Sequence, residues 1–341
     1  RELVAAPAFQ AELRALRAEP LVNHPGVAAV KRDVLARLYR HFRERHLEPG
    51  TPHARGFLEF RRQAGQPLER LALYDTLQAH FRAADPATWG WPVWPEAYRD
   101  PAAATVAEFA AEHKEEVDFH AWLQWQADLQ LAAVGQESWR RGLGVGLYGD
   151  LAVGANPCGA EVWSWQQVFA RGAYAGAPPE EINLNGQDWG LPPLIPRRLR
   201  EAAYGPLIDI LRANMRHAGA LRIDHAMALT RVFWVPAGRL PTEGTYVTYP
   251  IDELLGIVAL ESQRNRCLVV GEDLGTVPDG FRERLRQAHL LSYRPFILDR
   301  QKDGSFSRPA DYPPGAVASF STHDMPTLPG FWLGTDLDAR T

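Results

Sequence analysis

Three short apolar runs in this chain each stop abruptly at a carboxylate. They read Ala220-Leu-Arg-Ile-Asp224-His225, Leu268-Val-Val-Gly-Glu272-Asp273 and Val317-Ala-Ser-Phe-Ser-Thr-His323-Asp324. A brief apolar run fits a buried parallel strand, and its acidic end then marks the strand's C-terminus. In a (β/α)₈ barrel that end carries the chemistry. Cleavage of a glycosidic bond needs two carboxyl groups, one to protonate the leaving oxygen and one to attack the anomeric carbon or activate water. A third acid can hold sugar hydroxyls. Asp224, Glu272 and Asp324 supply that number, with His225 and His323 beside two of them as hydroxyl donors.

Arg222 lies two residues before Asp224, so on a strand the two side chains share a face. A cation there keeps Asp224 ionised. The spacing does not divide the roles of nucleophile and proton donor among the acids. The residue types also leave a divalent-metal site open, because Asp, Glu and His bind metals at barrel mouths as well. No His-x-His or His-Glu-x-x-His pattern accompanies them.

The elements that must position these acids follow from the pattern on either side. Residues 1–140 read as a mainly helical subdomain, with apolar residues at helical spacing over 28–45, 56–83 and 117–134. Pro49-Gly-Thr-Pro52 breaks the first long helix, and a Trp- and Pro-rich stretch from Trp89 to Pro101 forms a structured loop. From Gly142 the texture changes. A strand ends in Asp150, and a long Gly-, Pro-, Asn- and Trp-rich substrate loop covers 151–196. Helices over 201–217, 251–265 and 280–288 then alternate with strands ending at Asp224, Glu272, Leu298 and Asp324. That alternation predicts an α/β fold with a parallel sheet. Five such strands make residues 141–341 a partial (β/α)₈ barrel, since a complete one needs eight.

Composition narrows the function. With 341 residues, 46 % apolar and 23 % charged, the chain suits a globular protein with one large barrel or two domains. A net charge of −4 without a basic stripe predicts neither nucleic acid nor an anionic membrane as partner. No apolar stretch approaches the roughly 20 residues of a membrane span. No signal-peptide pattern opens the chain, and the two cysteines, Cys158 and Cys267, form no CxxC, which predicts a reducing cytoplasm. Eleven tryptophans are many, and indole faces stack on sugars as well as filling cores. Trp189, ringed by Gly and Pro, is the one placed best for a ligand.

Together these strings closely resemble the 4-α-glucanotransferases, the amylomaltases of glycoside hydrolase family 77. The resemblance rests on Ala220-Leu-Arg-Ile-Asp-His225, Val270-Gly-Glu-Asp-Leu-Gly-Thr-Val-Pro278 and Thr322-His-Asp-Met-Pro-Thr327. Gly149-Asp-Leu-Ala-Val153, and Gly176-Ala-Pro-Pro with Gly186-Gln-Asp-Trp-Gly-Leu-Pro-Pro193, look like the same family. Trp89–Tyr98 and Asp118-Phe-His-Ala-Trp-Leu-Gln-Trp125 resemble its longer bacterial type.

The resemblance implies a retaining double displacement on maltooligosaccharides or other α-1,4-glucans, with no cofactor and no metal. It gives Asp224 the part of nucleophile, Glu272 that of general acid/base and Asp324 that of third acid. Arg222, His225 and His323 would line the cleavage subsite, with Asp150, Gln187 and Trp189 also binding substrate. It makes the five strands about the third to seventh of the barrel. A hydrolase with the same mechanism and a non-catalytic glucan-binding fragment are the rival readings.

Overall fold

The computed structural model describes residues 2–180, 183–301 and 303–338. Among the described residues the strands are β1 (Tyr148–Leu151), β2 (Ala173–Ala177), β3 (Gln187–Leu191), β4 (Ala220–Ile223), β5 (Arg231–Pro236), β6 (Thr245–Thr248), β7 (Leu268–Gly271), β8 (Leu291–Pro295) and β9 (Ala316–Ser319). They fall into two sheets. One is five-stranded in the order β1-β4-β7-β8-β9, and every pairing in it is parallel. The other is antiparallel, in the order β3-β2-β5-β6.

The parallel sheet follows from its crossovers. Parallel neighbours cannot be joined by a tight turn, so the chain returns by long crossovers, three of which end in a helix. Helices Gly205–Met215, Ile251–Asn265 and Phe281–Gln287 make these returns ahead of β4, β7 and β8. Leu211, Met215, Leu254, Leu255, Val258 and Leu285 of these helices pack against Leu221, Ile223 and Val269 of the sheet. All four residues of β4 are buried, as a central strand covered on both faces requires. Arg212 and the buried Glu261 tie two crossover helices together, with both nitrogen–oxygen distances at 2.9 Å. A helical subdomain followed by part of a (β/α)₈ barrel is thus the architecture. Among the described residues five strands form the parallel sheet.

The second sheet departs from the sequence reading. Residues 151–196 are not one irregular loop but hold a short helix, Ala160–Ser164, and strands β2 and β3. β5 and β6 occupy the stretch between Asp224 and the next helix, where no strand was expected. Pairing across the sheet makes these strands, more than local propensity does. A Cβ at Gly176 of β2 would lie 2.0 Å from the Gln187 carbonyl oxygen, so glycine is what lets β3 pair there. Two predicted strand ends also move. The strand expected over 290–298 stops at Pro295, and β9 stops at Ser319, leaving Asp324 in a turn beyond the strand.

Contacts divide the chain into two compact units, Arg1–Thr88 with Trp94–Leu129, and Trp89–Val93 with Gln130–Thr341. The first unit is helical. Asn23 caps helix His24–Phe42 by accepting from the Gly26 N–H at 2.9 Å, and Thr51 caps Pro52–Ala84 in the same way. The latter helix is bent at Gly65, whose φ of 60° and ψ of −146° are not helical. Tyr39, Phe42, Phe57, Trp122 and Trp125 form the core of this unit.

Candidate active site

The register of β1, β4 and β7 builds the site. Asp150 lies opposite Arg222, and Ile223 lies opposite Gly271. The ladder runs one step past each strand. The Asp224 N–H donates to the Leu151 carbonyl, and the Glu272 N–H to the Ile223 carbonyl, both at 3.0 Å. Asp224 and Glu272 therefore stand at one level, at the C-terminal ends of adjacent parallel strands.

Arg222 is buried and spends its fork on two acids. Nη1 donates to Asp150 at 2.7 and 3.0 Å, and Nη2 donates to Oδ1 of Asp224 at 2.8 Å. Its guanidinium carbon sits 5.4 Å from the ring centroid of Tyr293, a cation–π distance. Three groups fix this guanidinium, so Asp224 is held in one orientation by a charge-assisted bond.

Glu272 has different surroundings. It is only 8 % exposed. Oε1 accepts from the Leu274 N–H at 2.8 Å and Oε2 from the His225 N–H at 3.0 Å. Burial pushes its carboxyl above the usual range, and the negative Asp224 nearby adds to this. The two backbone donors and Arg222 oppose the rise without cancelling it. Neighbouring carboxyl groups with such unlike environments are suited to unlike roles.

His225 takes the left-handed conformation, with φ of 48°, and this turn sends its N–H toward Glu272. Burial lowers the imidazole's pKa, which favours the neutral ring. The ring meets Trp189 edge to face, with centroids 5.1 Å apart at 77°. The indole N–H of Trp189 donates to Gln187 Oε1 at 2.8 Å. Gln187, Trp189 and His225 line a pocket of about 150 Å³ at the antiparallel sheet, together with Glu180, Arg231, Tyr246 and Thr276. None of the three acids lines this pocket; it opens beside them.

Asp324 joins from a turn. Its side chain is 76 % exposed, and His323 links it to the rest. Nε2 of His323 lies 3.3 Å from Asp324 and Nδ1 lies 3.9 Å from Asp150. A chain of contacts thus runs from Asp324 through His323, Asp150 and Arg222 to Asp224. All nine residues singled out in the sequence lie in or beside this arrangement. Asp324 is the outermost, and it is not at a strand end.

The sequence reading assigned no part to Tyr293, Arg231, Tyr246 or Asp273. Tyr293 and Tyr246 lie in strands with no motif to mark them. Asp273 carried a signal: an acid directly after Glu272 at the end of a buried strand needs cations of its own. Among the described residues no group of three or more His, Cys, Asp or Glu side chains is placed to hold a metal ion. Nor is any described helix long and apolar enough to cross a membrane.

A parallel barrel-type sheet thus carries a guanidinium-held carboxylate beside a buried carboxyl group at its C-terminal edge, the number and kind of groups that cleavage of a glycosidic bond needs. Comparison with known proteins makes this particular. Residues 2–340 match the family described as 4-alpha-glucanotransferase. A 4-alpha-glucanotransferase of Haemophilus influenzae is 39 % identical over 334 residues, which is 97 % of this chain and 48 % of that protein. One of Mycobacterium tuberculosis is 42 % identical over 293 residues, 83 % of this chain and 39 % of that one. The amylomaltase of Corynebacterium glutamicum superposes with a TM-score of 0.77 at 32 % identity, covering 92 % of this chain and 41 % of that one. A Streptococcus agalactiae amylomaltase, solved with acarbose, gives the same TM-score at 18 % identity and supports the fold alone, covering 92 % of this chain and 62 % of that one. The chain belongs to the 4-alpha-glucanotransferase family. It spans about half the length, or less, of the curated relatives just described.

Proposed function

We propose that the protein carrying this chain is a cytoplasmic 4-α-glucanotransferase, moving α-1,4-glucan segments between maltooligosaccharides with retention of configuration. Residues 141–341 supply the catalytic part, with 151–196 facing substrate, and residues 1–140 the helical subdomain. In the first step an oxygen of Asp224 attacks the anomeric carbon and the glycosidic C–O bond breaks. The proton of Glu272 goes to the departing oxygen. In the second step the 4-hydroxyl of another glucan attacks that carbon and returns its proton to Glu272, and the bond to Asp224 breaks. Asp324 and His323 grip ring hydroxyls, while Asp150 and Arg222 hold the nucleophile's side of the subsite. His225 lines the cleavage subsite with them, and Gln187 and Trp189 bind the glucan beside it.

The observation that carries this reading is the contrast between the two central carboxyl groups. Asp224 is bonded to a guanidinium, while burial favours the protonated form of Glu272 on the next strand. Two cysteines that form no CxxC suit a reducing compartment. Incubation of the full-length protein with maltotriose is expected to give glucose plus a ladder of longer maltodextrins. Glucose and maltose with no longer product would make the protein a hydrolase and overturn the proposal.

A further inference from the structure

Glu272 is gripped by backbone donors, so its position depends on where the main chain runs just past β7. The β7–β8 register consists of Val270 with Leu291 and Gly271 with Ser292. Beyond these pairs a side chain takes over from the ladder. Asp273 is fully buried, at 0 % exposure. Its Oδ1 accepts from the Tyr293 N–H at 3.1 Å and from Arg294 Nη1 at 2.9 Å. Its Oδ2 accepts from Ser292 Oγ at 3.1 Å, from Arg282 Nε at 2.8 Å and from Arg294 Nη1 at 3.1 Å. The carboxylate thereby joins the end of β7 to β8 and to helix Phe281–Gln287.

Arg282 also donates through Nη2 to the carbonyl of Asp273, at 2.9 Å. That carbonyl and the Leu274 N–H belong to one planar peptide unit and point in opposite directions. Holding the carbonyl on one side therefore aims the N–H on the other, and this N–H is the donor to Glu272 Oε1. One guanidinium grips Asp273 by carboxylate and carbonyl together.

We infer that Asp273 is a positioning residue for Glu272: with Arg282 it orients the peptide that fixes the proton-donating carboxyl group. The inference rests on the transferase reading above. It concerns the acid/base function and not the nucleophile. A donor whose leaving group departs without a proton separates the two.

The test compares wild type, Asp273→Asn and Arg282→Lys in the full-length protein, with maltotriose and with α-maltosyl fluoride. Misplacing a catalytic group by about 1 Å costs on the order of 100-fold. Asp273→Asn is expected to lower kcat on maltotriose by about 100-fold, with KM within about 3-fold, as for a group acting in the transition state. The fluoride burst, which reports attack by the nucleophile, should stay within about 3-fold of wild type per folded molecule, because only proton donation is impaired. Azide should raise the steady-state rate with the fluoride donor. Arg282→Lys keeps the charge and loses the two-pronged grip, so it should move both readouts in the same directions.

An unchanged kcat in Asp273→Asn would overturn the inference. So would a fluoride burst that falls in step with maltotriose activity. If Asp273→Asn does not fold, Arg282→Lys decides by the same criteria, since Arg282 is half exposed. Wild type that neither transfers glucan nor releases fluoride would defeat the transferase reading itself, and this assignment with it.

Discussion

Replacing Asp224 with Asn is expected to lower glucan transfer by at least about 10⁴-fold in kcat, the scale seen when a covalent nucleophile is removed. An amide oxygen does not displace a sugar alkoxide, so the first step has no route. The substitution also turns an acceptor into a partial donor facing Arg222, which now donates to Oδ1 of Asp224 at 2.8 Å. Arg222 retains Asp150 as its partner, at 2.7 Å, so its charge is not left unpaired. Asp224 is itself partly exposed. The fold should therefore survive with a melting temperature close to wild type. Maltotriose disproportionation and the fluoride burst with α-maltosyl fluoride should both vanish. A variant retaining more than about a hundredth of wild-type kcat would remove Asp224 from the nucleophile's place, given the loss expected for that group.

Glu272→Gln should cost about 10² to 10⁴-fold with maltotriose, the range for general acid–base catalysis. The fluoride donor should still react once, because fluoride leaves without a proton. Azide, a nucleophile that needs no base, should then restore turnover. The pH profile gives a second measurement. The free enzyme must hold a proton on Glu272, and burial raises the pKa of that carboxyl. Wild-type kcat/KM should therefore fall on the alkaline side, as pH rises through a pKa above the ordinary Glu value of about 4.3. Burial moves the pKa of the neighbouring His225 down, so the variant is what separates the two groups. In Glu272→Gln the alkaline fall should disappear. Its persistence would assign it to another group.

What could be read from sequence tracks which forces are local. The run Ala220–Ile223 is apolar because β4 is buried on both faces, so the strand and its terminal acid are visible as composition. The Arg222–Asp224 bond follows from strand alternation alone. The other half of the same fork, Asp150, lies 72 residues earlier and is set by the register of β1 on β4, which no spacing rule contains. The run before Asp324 read as one strand because Phe320 extends its apolar character. In the structure β9 closes at Ser319, whose hydroxyl donates to the Tyr293 hydroxyl at 2.9 Å, while the Phe320 carbonyl accepts from the Ile297 N–H at 3.2 Å beyond the strand. The antiparallel sheet was hidden for a similar reason. β2 reads Ala-Tyr-Ala-Gly-Ala, with no β-branched residue, and Gly176 is there for the close approach of Gln187. β5, Arg-Val-Phe-Trp-Val-Pro, did carry a strand signal, in an interval where a parallel α/β pattern expects a helix. The pocket beside the carboxylates is built from these strands, so it was absent from the sequence reading as well.

The most direct test of the account is to trap the covalent glycosyl-enzyme and locate it. Full-length Glu272→Gln protein would be mixed with α-maltosyl fluoride, quenched in acid, digested and mapped by mass spectrometry. The account predicts a maltosyl adduct on the peptide carrying Asp224, on that residue. An adduct on Asp150 or Asp324, or none under conditions in which wild type transfers glucan, would contradict it.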